Sequence, residues 1–449
     1  MDKLVFKVDN QKYLYSAKLQ GIYKITKETD YDSFERDNYQ LKQQSNKRNP
    51  NNDVLPFLQF ISAQTCNMKC TYCYANDGKY YEVNKKILDF EDYKKTFLGV
   101  IDIFSKGVRA ISFFGGEPLL GFSHIKKFVN YVNSYCSDND LKPPRFGIIT
   151  NATLMNNEIA EFICSNNINL TISLDGIAKI NDQNRVMKNN TGSYQKIIQA
   201  IRLIKSKNSK IQISIEGTLP KNMLGNISKE DYHKYVQVLN DLGVTTYVIV
   251  PEFCVGDCYS EEDLVQIKNF YCNVVDLTFE QLCKNTTDNC VSMDIISIIN
   301  SLVNGGVSRD CGAGYAFTVS TDLKMYSCQA LMLDHTLPQY ELTDAKSITD
   351  FMSSDFNREM QNATRFSVDE CAKCFAKNVC GVWCRGLNKV ENGAIKSVIK
   401  SRCFVQRVIT ERVLKNLIST MTDNSKSSLF TANYKKQVKT FSQIKSGLH

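Results

Sequence analysis

"CNMKCTYCY", residues 66–74, sets cysteines at 66, 70 and 73 in one short loop, with Tyr72 just before the last. Thiolates are soft ligands, and three packed this closely point to a metal or a metal cluster. No fourth cysteine lies nearby, and of the four histidines His124 is the nearest in sequence. A structural zinc site takes four protein ligands. Three thiolates instead suit a four-iron, four-sulfur cube with one iron left open for a substrate or cofactor.

The loop follows "FLQFIS", the first of six strand-like segments. The others are "RAISFFG", "RFGIIT", "NLTISLD", "KIQISIEG" and "TTYVIV". They are short and mostly rich in β-branched and aromatic residues, as buried strands are. Amphipathic stretches such as "FEDYKKTFLGVIDIFSKG" and "SYQKIIQAIRLIKSKN" lie between them. Strand–helix alternation predicts an α/β fold with parallel strands, here a partial (β/α)6 TIM-like barrel. Such barrels gather their chemistry at the carboxyl ends of the strands, where Cys66 falls.

Five segments follow from the pattern. Residues 1–56 are a small N-terminal piece, in which "KLVFKV" and "KYLYSA" pair around Asp9-Asn10 and "QGIYKIT" adds a third strand. The polar linker "QLKQQSNKRNPNND" closes it. Residues 57–255 are the partial barrel, 256–310 a helical bridge, 311–404 a cysteine-rich domain, and 405–449 a C-terminal helix and tail. The helix is announced by "FVQRVITERVLKNLISTM".

The chain has 449 residues, 43% hydrophobic and 23% charged, an ordinary globular balance for two or three domains. No apolar run reaches the ~20 residues of a membrane helix, and "MDKLVFKVDNQKY" is not an export signal. The expected location is the cytoplasm, without a membrane partner. The net charge of +8 is spread thinly, so nucleic acid is not expected either. Seventeen cysteines are the anomaly. In a reducing compartment they mark metals or redox chemistry more often than disulfides. Cys136 and Cys164 sit in apolar helical contexts and read as structural, as does His124 on an outer helix.

The three-cysteine string resembles the radical S-adenosylmethionine (radical SAM) superfamily, whose aromatic position is filled here by Tyr72. The resemblance implies that Cys66, Cys70 and Cys73 hold a cluster whose open iron chelates SAM. It implies reductive cleavage of SAM to a 5′-deoxyadenosyl radical that abstracts hydrogen from the substrate, with Tyr72 near the adenine. "SFFGGEP" places Gly115, Gly116, Glu117 and Pro118 past the second strand, where the family holds the methionine amine. "ITNATL" and "ISLDG" match the next strand ends, which implies that Asn151, Ser173 and Asp175 face the ribose or carboxylate. Arg185 in "DQNRV" is implied toward the carboxylate, against the alternative of a helix cap or surface salt bridge. Val250 in "VIVPEF" is implied at the adenine. The resemblance covers roughly residues 57–255.

Further on come Cys311 and Cys328, then "CAKCFAKNVCGVWC" with Cys371, Cys374, Cys380 and Cys384, and finally Cys403. This resembles the SPASM domain of radical SAM enzymes that modify peptides and proteins. It implies two auxiliary 4Fe-4S clusters, three clusters in all. Cys371, Cys374, Cys380 and Cys403 would hold the distal one; Cys311, Cys328 and Cys384 the proximal one. Leu323 stands where the family usually has glycine, so a different turn is expected there. Two zinc sites would want eight ligands, and seven cysteines fit poorly. The proximal set lacks a fourth ligand. Either a remote cysteine (Cys254, Cys258, Cys272, Cys283 or Cys290) reaches in, or the open iron binds a substrate thiolate. Cys254 and Cys258 alternatively form a redox pair or stay structural. Trp383 and Arg385 flank Cys384 and either shape its pocket or simply pack.

The function expected is a radical SAM/SPASM maturase that crosslinks a ribosomally made precursor peptide, with a thioether from cysteine sulfur to carbon favoured over a carbon–carbon bond. Sactipeptide and ranthipeptide synthases are the model. An anaerobic sulfatase-maturating type is the rival. Those enzymes tend to carry an aspartate after the second SPASM cysteine, where this chain has Gln329, and they start the barrel almost at the N-terminus. A non-catalytic iron–sulfur electron carrier is disfavoured, because it has no use for "GGEP". Flavodoxin or ferredoxin is the expected reductant. The N-terminal piece is expected either to pair with a leader peptide by β-augmentation or to cap the barrel.

Overall fold

All six expected barrel strands form, and they lie side by side in chain order. They are β4 (Leu58–Ala63), β5 (Ala110–Gly115), β6 (Arg145–Thr150), β7 (Asn169–Ser173), β8 (Ile213–Leu219) and β9 (Thr246–Pro251), all parallel. The computed structural model describes residues 2–25, 53–253, 256, 258–285, 289–305, 307–308 and 311–448, with side chains up to residue 439. β4 is buried at every position, as a strand covered on both faces must be. Helices cover the outside. Helix Phe122–Asp138 turns Ile125, Phe128, Val129, Val132 and Cys136 inward at helical spacing, which makes Cys136 a core residue. Phe60, Tyr93, Phe113 and Phe128 form an aromatic nest beneath β4 and β5, with Phe60 edge-on to Tyr93 at 4.8 Å.

The sheet does not stop at six strands. β10 (Val291–Ser292) adds in parallel to β9. At the other edge β11 (Phe317–Val319) pairs in parallel with β4, and β12 (Lys324–Tyr326) and β13 (Tyr340–Glu341) follow antiparallel. The cysteine-rich segment, where sequence periodicity fades, therefore grows directly from the barrel sheet. The turn between β11 and β12 keeps the left-handed conformation that glycine would favour: Leu323 has φ 60°. An L-residue there costs roughly 1–2 kcal/mol, and the Leu323 side chain packs against the main core.

The N-terminal segment forms β1 (Lys3–Val8), β2 (Gln11–Ser16) and β3 (Gly21–Ile25), an antiparallel sheet of its own. Asp9 and Asn10 both take positive φ (46° and 62°), the geometry of a tight two-residue hairpin turn. Phe6, Tyr15 and Ala17 pack on Leu414 of helix Lys400–Thr422, and Asn378 Nδ2 donates to Ala17 O at 2.6 Å. Most of the linker Gln40–Asp53 lies outside the described residues. Helix Lys400–Thr422 in turn grips helix Glu261–Leu282, where Arg412 holds Asp276 through bonds of 2.7 and 2.6 Å. No described helix is long and apolar enough to cross a membrane.

Leu414 is fully buried where the hairpin sheet meets the C-terminal helix. Leu414→Ala is expected to lower unfolding stability by about 3 kcal/mol, read by denaturant titration, and to expose β1–β3 to early proteolysis.

Candidate functional site

The cysteine loop is seated by glycines. A Cβ on Gly116 would sit 2.2 Å from Thr65 O, and one on Gly78 2.4 Å from Gly116 Cα. Backbone therefore lies on backbone, with Gly116 N donating to Ala63 O and Glu117 N to Thr65 O at 2.8 and 3.0 Å. The far side of the loop is laced to residues 184–187: Lys69 N donates to Val186 O at 2.8 Å and Thr71 N to Asn184 O at 3.0 Å. Asn151 reaches across from β6, donating to Asn67 Oδ1 at 2.9 Å and lying 3.7 Å from Cys66 Sγ.

Two carboxylates brace the strand ends. Glu117 is wholly buried and caps the short helix that Pro118 begins. Its oxygens accept from Thr150 Oγ1 (2.6 Å), Leu119 N (2.9 Å) and Asn151 N (2.8 Å). The carboxylate thus ties β5 to β6. Burial pushes its pKa up to about 7 against these hydrogen bonds. Asp175 accepts from Tyr72 OH, from Arg185 Nε (2.8 Å) and from Thr218 N (2.9 Å). Arg185 is thus half of a buried ion pair, not a surface one. Its guanidinium lies 5.6 Å from the Tyr72 ring centre. Burial alone would lower the Arg185 pKa, but Asp175, Tyr72 and Cys70 outweigh it and raise it. Ser173 is in register with Glu216 on β8, and Val250 with Thr218, so both share the lumen face.

The later cysteines gather in the expected sets. Cys66 feels the charges of Cys70 and Cys73. Cys328 feels Cys384 and Cys311. Cys371 feels Cys403, Cys380 and Cys374. Gly386 makes room for the second set, since a Cβ there would lie 2.5 Å from Cys328 Sγ. Burial raises Cys66 and Cys371 to about 12 and Cys70 and Cys403 to about 11, and it raises Cys328, Cys380 and Cys384 too. Crowded, desolvated thiols become thiolates when a cation compensates them, so the donor sets fit iron–sulfur clusters chemically. Among the described residues no three such side chains converge on one point as they would around a single ion. A cube spreads its ligands wider than a lone zinc with 2.3 Å bonds does.

The candidate fourth ligands have other neighbours. Cys272 lies by Arg412 and Asp276, and Cys283 by Lys426 and Asp423. Cys290 is buried beside the tyrosines at 232, 235 and 247. Cys258 is disulfide-bonded, and Cys254 lies outside the described residues. Cys164 is half-buried against Ile204 O at 3.8 Å, a packing position.

Two lumen residues escaped sequence reasoning. Tyr74 is 42% exposed yet close enough to feel Cys73, Cys328 and Glu216. Glu216 is exposed on β8; desolvation raises its pKa, Arg185 opposes the rise, and Asp294 and Asp175 add to it. Tyr74 therefore lies within electrostatic reach of both the first thiol set and Cys328. The alternation Ser214, Glu216, Thr218 signals a lumen face, but only the barrel geometry says which face that is.

Residues 60–223 match the Radical SAM superfamily model. This chain carries a radical SAM domain. A cysteine-type anaerobic sulfatase-maturating enzyme of Clostridium novyi is 24% identical over 347 residues, 72% of this chain and 86% of that protein. An uncharacterised protein of Methanocaldococcus jannaschii is 38% identical over 143 residues, 32% of this chain; the match spans about half (46%) of that protein. The solved structure of anSMEcpe with bound AdoMet superposes at TM-score 0.67 and 18% identity over 85% of this chain and 99% of that one. SuiB of Streptococcus suis bound to precursor peptide SuiA superposes at TM-score 0.55 and 14% identity, covering 90% and 98%. The fold around the radical SAM domain is that of radical SAM enzymes with a SPASM extension.

Glu117 carries a folded pKa above the ordinary carboxylate value, so the folded protein binds the proton more tightly. Its contribution to stability is then greatest at low pH and falls as pH rises from about 4.5 to about 7, by on the order of 3 kcal/mol. Denaturant unfolding across that window is expected to show the slope in the wild type and a flatter profile in Glu117→Gln.

Proposed function

We propose that the chain is a radical SAM/SPASM peptide maturase that installs a crosslink in a ribosomally made precursor peptide, a thioether from cysteine sulfur to carbon being favoured. The carrying observation is the closeness of the two sites: Tyr74 lies within electrostatic reach of Cys73 of the first thiol set and of Cys328 of the second. A peptide threaded there would meet both sites at once.

In this reading Cys66, Cys70 and Cys73 hold the SAM-binding 4Fe-4S cluster. Cys311, Cys328 and Cys384 hold the proximal auxiliary cluster, and Cys371, Cys374, Cys380 and Cys403 the distal one. When bound, the first cluster and SAM supply a 5′-deoxyadenosyl radical that takes a hydrogen atom from the peptide. Gly115 and Gly116 let backbone approach the cofactor, and Glu117 and Asn151 hold that backbone in place. Asp175 fixes Tyr72 and Arg185, with Ser173 and Val250 facing the same lumen. Loss of a hydrogen atom and then an electron leaves the substrate one proton to shed. Glu216 is the lumen carboxylate at hand to take that proton. With three thiols at the proximal site, an open iron would take the substrate cysteine as a soft ligand.

A second reading, maturation of a sulfatase, draws on the relative matched over 86% of its length and on the TM-score of 0.67. Gln329 after Cys328 offers no carboxylate for it. The reductant proposed is flavodoxin or ferredoxin in the cytoplasm. β1 and β3 are the outer strands of their sheet among the described residues, an arrangement that suits pairing with a leader strand.

Reconstituted protein with SAM and dithionite is expected to release 5′-deoxyadenosine, and Cys66→Ala/Cys70→Ala/Cys73→Ala to release none. Deoxyadenosine from the triple variant would sink the assignment. Once a peptide is converted, Glu216→Gln is expected to cut product about 100-fold while sparing SAM cleavage.

A further inference from the structure

Tyr80 carries two local costs at once. Its φ of 59° lies in the left-handed region, which strains a bulky L-residue. Asn76, Asp77 and Gly78 just before it share that region, but those residue types tolerate it. The Tyr80 hydroxyl is fully buried, and among the described residues no hydrogen bond of ordinary geometry closes on it. A buried hydroxyl left unmet is a second cost. The fold holds the turn regardless. Tyr80 N donates to Ala75 O at 2.8 Å. Gln64 Nε2 donates to Lys79 O at 3.0 Å, while its Oε1 accepts from Thr321 Oγ1 at 2.8 Å. The same turn lies against the cysteine loop: a Cβ on Gly78 would stand 3.2 Å from Cys66 Cβ. Cys73 packs on the group of buried side chains that includes Tyr80. The Tyr80 ring meets Tyr74 edge-on, with centres 6.1 Å apart. Strain and unmet polarity concentrate at working sites.

The Tyr80 hydroxyl lies within reach of the Tyr74 hydroxyl and feels Cys73 and Cys66. Tyr74 is the exposed member of the pair and has Glu216 and solvent at hand as well. A phenol keeps its proton at neutral pH, with one O–H to give and lone pairs to receive. Between a neutral phenol oxygen and a sulfur of an anionic cluster, the sulfur is the stronger acceptor, because a charged partner roughly doubles a hydrogen bond. Tyr74 can then donate to the Tyr80 oxygen, and hydrogen bonds in such a chain reinforce one another. We propose that Tyr80 donates a hydrogen bond from its hydroxyl to a sulfur at the Cys73 corner of the Cys66/Cys70/Cys73 cluster, with Tyr74 behind it as donor to Tyr80. This rests on the reading above that those thiols hold the SAM-binding cluster. Hydrogen bonds to cluster sulfurs help set the potential. Reduction adds negative charge to the cluster, so this bond favours the reduced form from which SAM is cleaved. No covalent bond forms or breaks, and the proton stays on Tyr80.

The test is an anaerobic redox titration of the reconstituted holoprotein, followed by EPR at the signal that changes when SAM is added, with iron counted in each sample. Tyr80→Phe keeps the ring and removes only the hydroxyl. It is expected to keep its iron while the midpoint moves negative, an about tenfold loss in the reduction equilibrium, or ~59 mV for one electron. Tyr74→Phe is expected to move it the same way by less. In deuterated buffer the reduced wild-type cluster is expected to couple to an exchangeable deuteron that Tyr80→Phe lacks. An unmoved midpoint in Tyr80→Phe would overturn the proposal. So would a larger shift in Tyr74→Phe, since Tyr74 would then be the donor. Iron lost from Tyr80→Phe would overturn it as well, because the hydroxyl would then hold the loop and not tune the cluster. A wild type with no signal that responds to SAM fails earlier: it removes the cluster assignment, and this proposal with it.

Discussion

One carboxylate organises the cofactor end of this barrel. Asp175, fully buried at its side chain, accepts from the cysteine loop through Tyr72, from the helix end through Arg185 and from β8 through Thr218 N. Three chain segments far apart in sequence are thereby fixed against one another. Removing one partner of such a buried pair costs roughly 3–5 kcal/mol, because it strands the other charge. The loop bearing Cys66, Cys70 and Cys73 is therefore held on one side by this ion pair and on the other by the close approach of Gly78, Gly116 and Thr65.

The second organising constraint is the continuity of the sheet. β11 pairs with β4, the strand that delivers the cysteine loop, and Gln64 just past β4 accepts from Thr321 N and Oγ1 beyond β11. The same sheet edge thus positions the first thiol set and the turn leading to Cys328. That is why Tyr74, one residue past Cys73, reaches both sets. The N-terminal sheet is tied to the distal thiol loop through Asn378 and Ala17.

The barrel was legible because buried parallel strands read as short apolar runs, and each of the six runs became a strand. The three thiol sets were legible because ligand spacing is a local property of sequence. Glu117 was less so: "GGEP" announces a special turn, but only the fold reveals that Thr150, Leu119 and Asn151 already occupy its carboxylate. Leu323 misled in the opposite sense, since a leucine here accepts the left-handed backbone that suggests glycine. The alternation around Glu216 signals a face but not which one, and Arg385 is legible only as a neighbour of Cys384. Their meaning comes from what long-range packing places beside them, and no spacing rule encodes that.

The account stands or falls on what the ten clustered thiols bind. Anaerobically reconstituted protein, assayed for iron, acid-labile sulfide and zinc, measures this directly. Three cubes require about twelve iron and about twelve sulfide per chain with no stoichiometric zinc. Zinc in place of iron, or iron near four per chain with the SPASM cysteines intact, would contradict it.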